Sequence, residues 1–128
     1  MVTATLENET PVETHSLIAS DRVEGTTVRR GDGTKVGTIE RLMIDKVGGS
    51  VAYAVLRFGG FLGINEKHLP IPWPRLTYDK ALGAYHLDLS DEELRNAPAI
   101  EKDFDWGNRA MEIEIHDYYR TPPYWGAY

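Results

Sequence analysis

Val51-Ala52-Tyr53-Ala54-Val55-Leu56 is apolar or aromatic at every position. Successive side chains of a β-strand point to opposite faces, so a short unbroken apolar run predicts a strand buried on both. Gly48-Gly49 before it and Gly59-Gly60-Phe61-Leu62-Gly63 after it supply turn chemistry. The run reads as the most central strand of a β fold.

Upstream, a strand is expected from about residue 35 to 45. Ile39 and Met43 fall on one face, and Val36, Leu42 and Ile44 on the other. That imperfect alternation predicts a bulge or strong local twist. Gly31-Asp32-Gly33 tolerates the positive φ of a tight hairpin and joins it to a β-rich run, Thr26-Thr27-Val28-Arg29-Arg30. Residues 26–58 thus read as three antiparallel strands. Ser20-Asp21-Arg22-Val23-Glu24-Gly25 before them is a short helical turn closed by glycine.

Downstream, Leu69, Ile71 and Trp73 alternate with Pro70, Pro72 and Pro74. Alternate residues of a strand present their N–H groups to one edge, so three alternate prolines strip that edge of donors. Such a strand belongs at an edge or seam of the sheet. Leu76 and Tyr78 share a face, Lys80-Ala81-Leu82-Gly83 is a turn, and Tyr85, Leu87 and Leu89 alternate with His86 and Asp88 as an amphipathic strand. Ser90-Asp91-Glu92-Glu93-Leu94 then carries a capping box, Ser90 with Glu93, and a hydrophobic staple, Leu89 with Leu94. Pro98 ends that short helix.

Seven of the 13 aromatic residues lie between Phe104 and Tyr128. Residues 106–119 fit a helix with Met111, Ile115 and Tyr118 or Tyr119 on one side. They also fit a strand, with Met111, Ile113 and Ile115 alternating against Glu112, Glu114 and His116; we favour the helix. Thr121-Pro122-Pro123-Tyr124-Trp125 is non-helical.

A chain of 128 residues suits one domain. Its division is expected to be a disordered tail over 1–15, with Glu7, Glu9 and Glu13 among Thr, Asn and Pro, a barrel over 16–104, and an extension over 105–128. No apolar run approaches the length of a membrane span, and the N-terminal residues lack the basic start and apolar stretch of a secretory signal. The chain has no cysteine, which fits a cytoplasmic setting and removes thiol chemistry. A net charge of −6 argues against general nucleic-acid binding, which needs clustered Lys and Arg.

Several motifs in this order resemble the bacterial PRC-barrel domain over residues 17–104. They are Leu17-Ile18-Ala19-Ser20-Asp21-Arg22-Val23-Glu24-Gly25, Val36-Gly37-Thr38-Ile39-Glu40, Leu42-Met43-Ile44-Asp45, the 51–56 run, Phe58-Gly59-Gly60-Phe61-Leu62-Gly63, Leu69-Pro70-Ile71-Pro72-Trp73 and Leu94-Arg95-Asn96-Ala97-Pro98. The resemblance implies an all-β fold: a small antiparallel barrel, a short helix after its last strand, and the aromatic-rich C-terminal helix or extension beyond. It is similar in fold to the cytoplasmic domain of the photosynthetic reaction-centre H subunit and to the C-terminal domain of a 30S ribosome-maturation factor. In those relatives the barrel is a docking surface. The chain lacks the membrane helix of the one and the N-terminal domain of the other, so their partners do not carry over.

The residues themselves offer little catalytic chemistry. Gly59 to Gly63 are followed by a strand, not by the helix N-terminus and Lys of a phosphate cradle. His15, His68, His86 and His116 have no metal spacing, and Asp103-Phe104-Asp105 reads as a solvated loop. Ser16, Ser20, Ser50 and Ser90 sit at caps or turns without a base. Glu92-Glu93 occupy a helix first turn, where the dipole favours them. No catalytic, metal or cofactor residue is assigned. The expectation is a non-enzymatic protein-interaction module with an unidentified protein partner, forming a homodimer partly through its tail. The candidate contact residues are Phe61, Leu62, Trp106, Met111, Ile115, Tyr118, Tyr119, Tyr124 and Trp125, because large aromatics and aliphatics anchor interfaces. A ribosome- or RNA-associated factor would need a basic face from Arg29, Arg30, Lys35 and Arg41. A small-molecule or metal-binding barrel would need a concave pocket with converging polar groups.

The capping box gives a first test. Ser90→Ala leaves Glu93 N–H without its side-chain acceptor and is expected to lower stability by about 1 kcal/mol in urea unfolding.

Overall fold

The structure, a computed structural model, describes residues 16–59 and 66–126. The tail expected over 1–15 lies outside them, as do Phe61 and Leu62. Helix α1 (Ser20–Val23) ends at Gly25, whose φ of 86° suits glycine, and Gly25 N–H donates to the Ile39 carbonyl at 2.6 Å. Strands β1 (Thr27–Arg29), β2 (Lys35–Ile44) and β3 (Val51–Phe58) then form the expected antiparallel meander. The irregularity foreseen in β2 is present: its register against β3 shifts between Ile39 and Arg41 and again between Met43 and Ile44. Each shift lets the strand turn more sharply than a regular ladder allows.

Strand β4 (Lys67–Pro72) is at the edge, as its prolines require. Its pairing with β3 runs unbroken through Pro70 and Pro72, so the missing donors fall on the far edge. Pro74 does not continue the strand; it lies in a 3-10 turn (Trp73–Arg75), where its fixed φ is welcome. β4 is also more buried than alternation implied, with Leu69, Pro70, Ile71 and Pro72 all inside. Strands β5 (Thr77–Asp79) and β6 (Ala84–His86) make a hairpin, and the burial of Tyr85, Leu87 and Leu89 follows their alternation.

Two expectations about the sheet need correction. The six strands run in the order β4-β3-β2-β1-β6-β5, and β1 pairs with β6 in parallel, Val28 opposite Tyr85 and Arg29 opposite His86. The sheet is mixed, not wholly antiparallel. β1 has β2 on one edge, so the β5–β6 hairpin returns to the other, and the long connection between β1 and β6 leaves the chain free to arrive in the same direction. Nor does the sheet close by hydrogen bonds: among the described residues β4 and β5 form no ladder. The donor-poor edge of β4 explains this. An aromatic contact spans the seam instead, with Trp73 against Tyr85 at 5.4 Å between centroids, and Tyr78 backs Tyr85 within the hairpin at 4.9 Å.

After the sheet, α2 (Asp91–Arg95) carries the complete capping box. Glu93 N–H donates to Ser90 Oγ at 3.0 Å and Ser90 N–H to Glu93 Oε1 at 2.9 Å. Leu89 and Leu94 are both buried, as the staple requires. The C-terminal segment is helical, α3 (Arg109–Tyr119), capped by Asn108 and ended by Arg120 in the left-handed region at φ 53°. The strand alternative fails because Ile113 is exposed while its neighbour Glu112 is buried. α3 packs against β4, and its Ile115 and Tyr119 join the sheet residues in one core cluster. That cover is why β4 is buried beyond its alternation.

Gly37 on β2 marks the closest approach within the meander. A Cβ there would collide with the backbone carbonyl of Arg57 and stand 3.1 Å from Leu56 Cδ1. A strand carbonyl cannot swing aside as a flexible side chain can. Gly37→Ala is expected to cost about 2 kcal/mol, read as a lower urea midpoint with unchanged slope.

Candidate functional site

The odd-numbered face of β3 turns away from the interior that Ala52, Ala54 and Leu56 line. Along it Tyr53 and Val55 are buried but Arg57 is exposed, so the cover stops short of Arg57. The C-terminal extension supplies that cover over Tyr53. Trp106 lies against the Tyr53 ring at 5.7 Å, Tyr124 meets it edge-on at 5.8 Å, and His116 stands at 5.3 Å.

Two polar α3 residues are buried here: Glu112 is 3% exposed and His116 1%. The Tyr53 hydroxyl donates to Glu112 Oε1 at 2.9 Å and lies 2.8 Å from His116 Nε2. His116 Nδ1 is 3.0 Å from the Thr121 carbonyl, which can only accept, so Nδ1 carries a proton. In neutral His116 the other nitrogen is an acceptor. One phenolic proton therefore stands between two acceptors, the Glu112 carboxylate and the imidazole. Burial pushes the Tyr53 phenol far above its usual range, and the hydrogen bond and charge of Glu112 add to this. Burial lowers His116 from its ordinary value, opposed by its bond to Thr121 and by the charge of Glu112.

Arg109 closes the outer side of the cluster. Its Nε is 3.8 Å from Glu112 Oε2, and its guanidinium lies 3.7 Å from the centre of the Trp125 ring. Partial burial raises the pKa of the Tyr124 phenol, and the nearby charge of Glu112 adds to this. Tyr53, Glu112, His116 and Arg109 pin helix, tail and sheet together.

Beside this cluster lies a cleft of about 300 Å³. One wall is the turn between β2 and β3, residues 43–47; the other is Trp106 and Tyr124; Tyr53 and Glu112 reach its depth. Its margin is apolar and exposed: Val47 is 97% exposed, Ile44 50% and Tyr124 38%.

The sequence-derived contact residues divide accordingly. Trp106 and Tyr124 line the cleft, and Trp125 lies behind them under Arg109. Tyr118 is partly exposed on the outer side of α3, where its hydroxyl donates to the Glu93 carbonyl at 2.6 Å. Met111 packs at the edge of the core. Ile115 and Tyr119 must be withdrawn as contact residues, since both are fully buried within their own chain. Phe61 and Leu62 lie outside the described residues. Ile44, Val47 and Glu112 were missed.

Three of the four cations named for an RNA face meet acceptors of their own chain, while Lys35 is exposed opposite Arg29. Arg29 donates to the Gly33 carbonyl at 2.9 Å, Arg30 to the Leu89 carbonyl at 2.7 Å and to Asp91, and Arg41 lies 3.7 Å from Glu40. His68 is held by Glu40 at 2.7 Å, and His86 lies 3.2 Å from Asp79. Among the described residues no group of three His, Asp or Glu side chains is placed to hold a metal ion, and no helix is long and apolar enough to cross a membrane.

Compared with known proteins, residues 15–94 match the family model of the PRC-barrel domain. No curated protein matches the chain.

The buried imidazole makes stability depend on pH. Native His116 resists protonation, whereas the unfolded chain takes the proton below about pH 6.5. The unfolded state then binds more protons, so this contribution is present above pH 6.5 and is lost as pH falls. His116→Gln is expected to be less stable than the parent at pH 7.5 but to lose less stability between pH 7.5 and 5.5, measured as urea midpoints. An equal loss in both proteins would exclude His116 as the source.

Proposed function

The chain belongs to the PRC-barrel family, and from that membership we propose that it is a non-catalytic protein-interaction module. Its docking face is the β2–β3 turn together with the C-terminal extension. The observation that carries this reading is the exposed apolar margin of Ile44, Val47 and Tyr124 around the cleft. Val47 is almost wholly exposed, and together with Ile44 and Tyr124 it offers apolar surface that a partner would cover. The buried Tyr53–Glu112–His116 network supports a structural role, since its bonds join the extension to the sheet.

The cysteine-free, acidic composition fits action in the cytoplasm. A homodimer is the simplest partner arrangement. Because Ile115 and Tyr119 are used within the chain, it would draw on the exposed parts of the extension, Ile113, Tyr118 and Tyr124, and on the β2–β3 turn.

Val47→Asp places a charge in the proposed contact without touching the core. It is expected to abolish association, both the twofold mass in light scattering and the proteins retained in quantitative affinity capture, with an unchanged thermal midpoint. Leu82→Asp, an exposed apolar site on the β5–β6 turn, serves as control and should retain both. Equal behaviour of the two variants would remove this face.

A further inference from the structure

We infer that the cleft between the β2–β3 turn and the C-terminal extension accepts the ammonium head of a lysine side chain presented by a partner protein. This rests on the docking reading and names the group that the partner brings.

The depth of the cleft carries a nearly buried carboxylate with bonding capacity to spare. A carboxylate offers about four lone-pair sites. The Tyr53 phenol uses part of them. The nearest cation, Arg109 Nε, stays 3.8 Å from Oε2, beyond hydrogen-bond length. The walls are ring faces and edges of Tyr53, Trp106 and Tyr124, which attract a cation that has left water. Asp45 adds a second carboxylate at the mouth. Lys46 also lines the mouth, but it is exposed, and its charge is screened by solvent.

Geometry favours lysine over arginine. A guanidinium gains most from a two-oxygen grip on a carboxylate. Here Oε1 already takes the Tyr53 hydroxyl, which leaves a one-oxygen site better matched to a compact ammonium. A volume of about 300 Å³ is small for a ligand pocket and suits one inserted side chain, whose methylene stem would lie along Met43 and Ile44. The source is a protein, because a free amine would leave the exposed margin of Ile44, Val47 and Tyr124 uncovered. The net charge of −6 steers a basic partner toward the chain.

The test is an NMR titration of the full chain, following Trp106 and Tyr124, with the blocked peptide acetyl-Leu-Lys-Leu-amide. Matched probes carry norleucine or arginine in place of lysine, and n-butylammonium serves as the free amine. The lysine peptide is expected to bind about fivefold or more tightly than each of the other three. Glu112→Gln should abolish the preference for lysine over norleucine. Because that change also disturbs a buried network, Tyr124→Leu, at a partly exposed position, is the second variant and should weaken lysine binding about fivefold with the fold intact. Equal binding of norleucine would show an apolar groove only, equal binding of arginine would remove the one-oxygen argument, and equal binding of n-butylammonium would show a free-amine site. Each of these, or the absence of shifts at the cleft, overturns the inference. Should Val47→Asp still abolish association in that event, the docking face stands and only the lysine is withdrawn.

Discussion

Tyr53 leaves β3 on its outer face, and a large phenol there must be both covered and hydrogen-bonded. The open sheet provides neither. The C-terminal extension provides both, with Trp106 and Tyr124 against the ring and Glu112 and His116 at the hydroxyl. Once α3 is fixed by those bonds, Ile115 and Tyr119 complete the core and the outer surface of β4 is sealed. The extension is thus a structural part of the fold as much as an appendage to it.

The same arrangement determines where the molecule can meet others. Prolines disarm the edge of β4, and aromatic rings fill the seam toward β6, so strand addition at that side is disfavoured. Arg29 and Arg30 are turned to acceptors of their own chain. The turn between β2 and β3 stays outward and apolar where it faces the extension across the cleft. In the proposed docking reading, the contact face arises from two segments far apart in sequence, brought together by a buried polar contact.

Much of the sheet was legible in the sequence because its signals are local. The unbroken 51–56 run gave a doubly buried strand, alternate prolines gave an edge, failed alternation in residues 35–45 gave a bulge, and Ser90 with Glu93 gave a capped helix. The parallel pairing of β1 with β6 and the open seam were not legible, since both depend on how distant segments meet. Glu112 and His116 were left out of the expected helix face, which was drawn through Met111, Ile115 and Tyr118 or Tyr119. Their positions held a contrary signal: 112, 115, 116 and 119 fall at the i, i+3, i+4, i+7 spacing of one buried helix face. Polar identity masked the pattern, because the partner that satisfies both groups, Tyr53, lies 59 residues from Glu112 and 63 from His116. Val47 escaped notice for the opposite reason, as one aliphatic residue in a turn has no periodicity to reveal it.

The most direct measurement of the Tyr53–Glu112 contact is a double-mutant cycle on unfolding free energy, using Tyr53→Phe, Glu112→Gln and the double variant. If the phenol and carboxylate hold the extension to the sheet, the two changes are strongly non-additive, with a coupling of about 1 kcal/mol or more. Additive losses would mean that the extension is held by ring packing alone, and the buried polar contact would lose its central place.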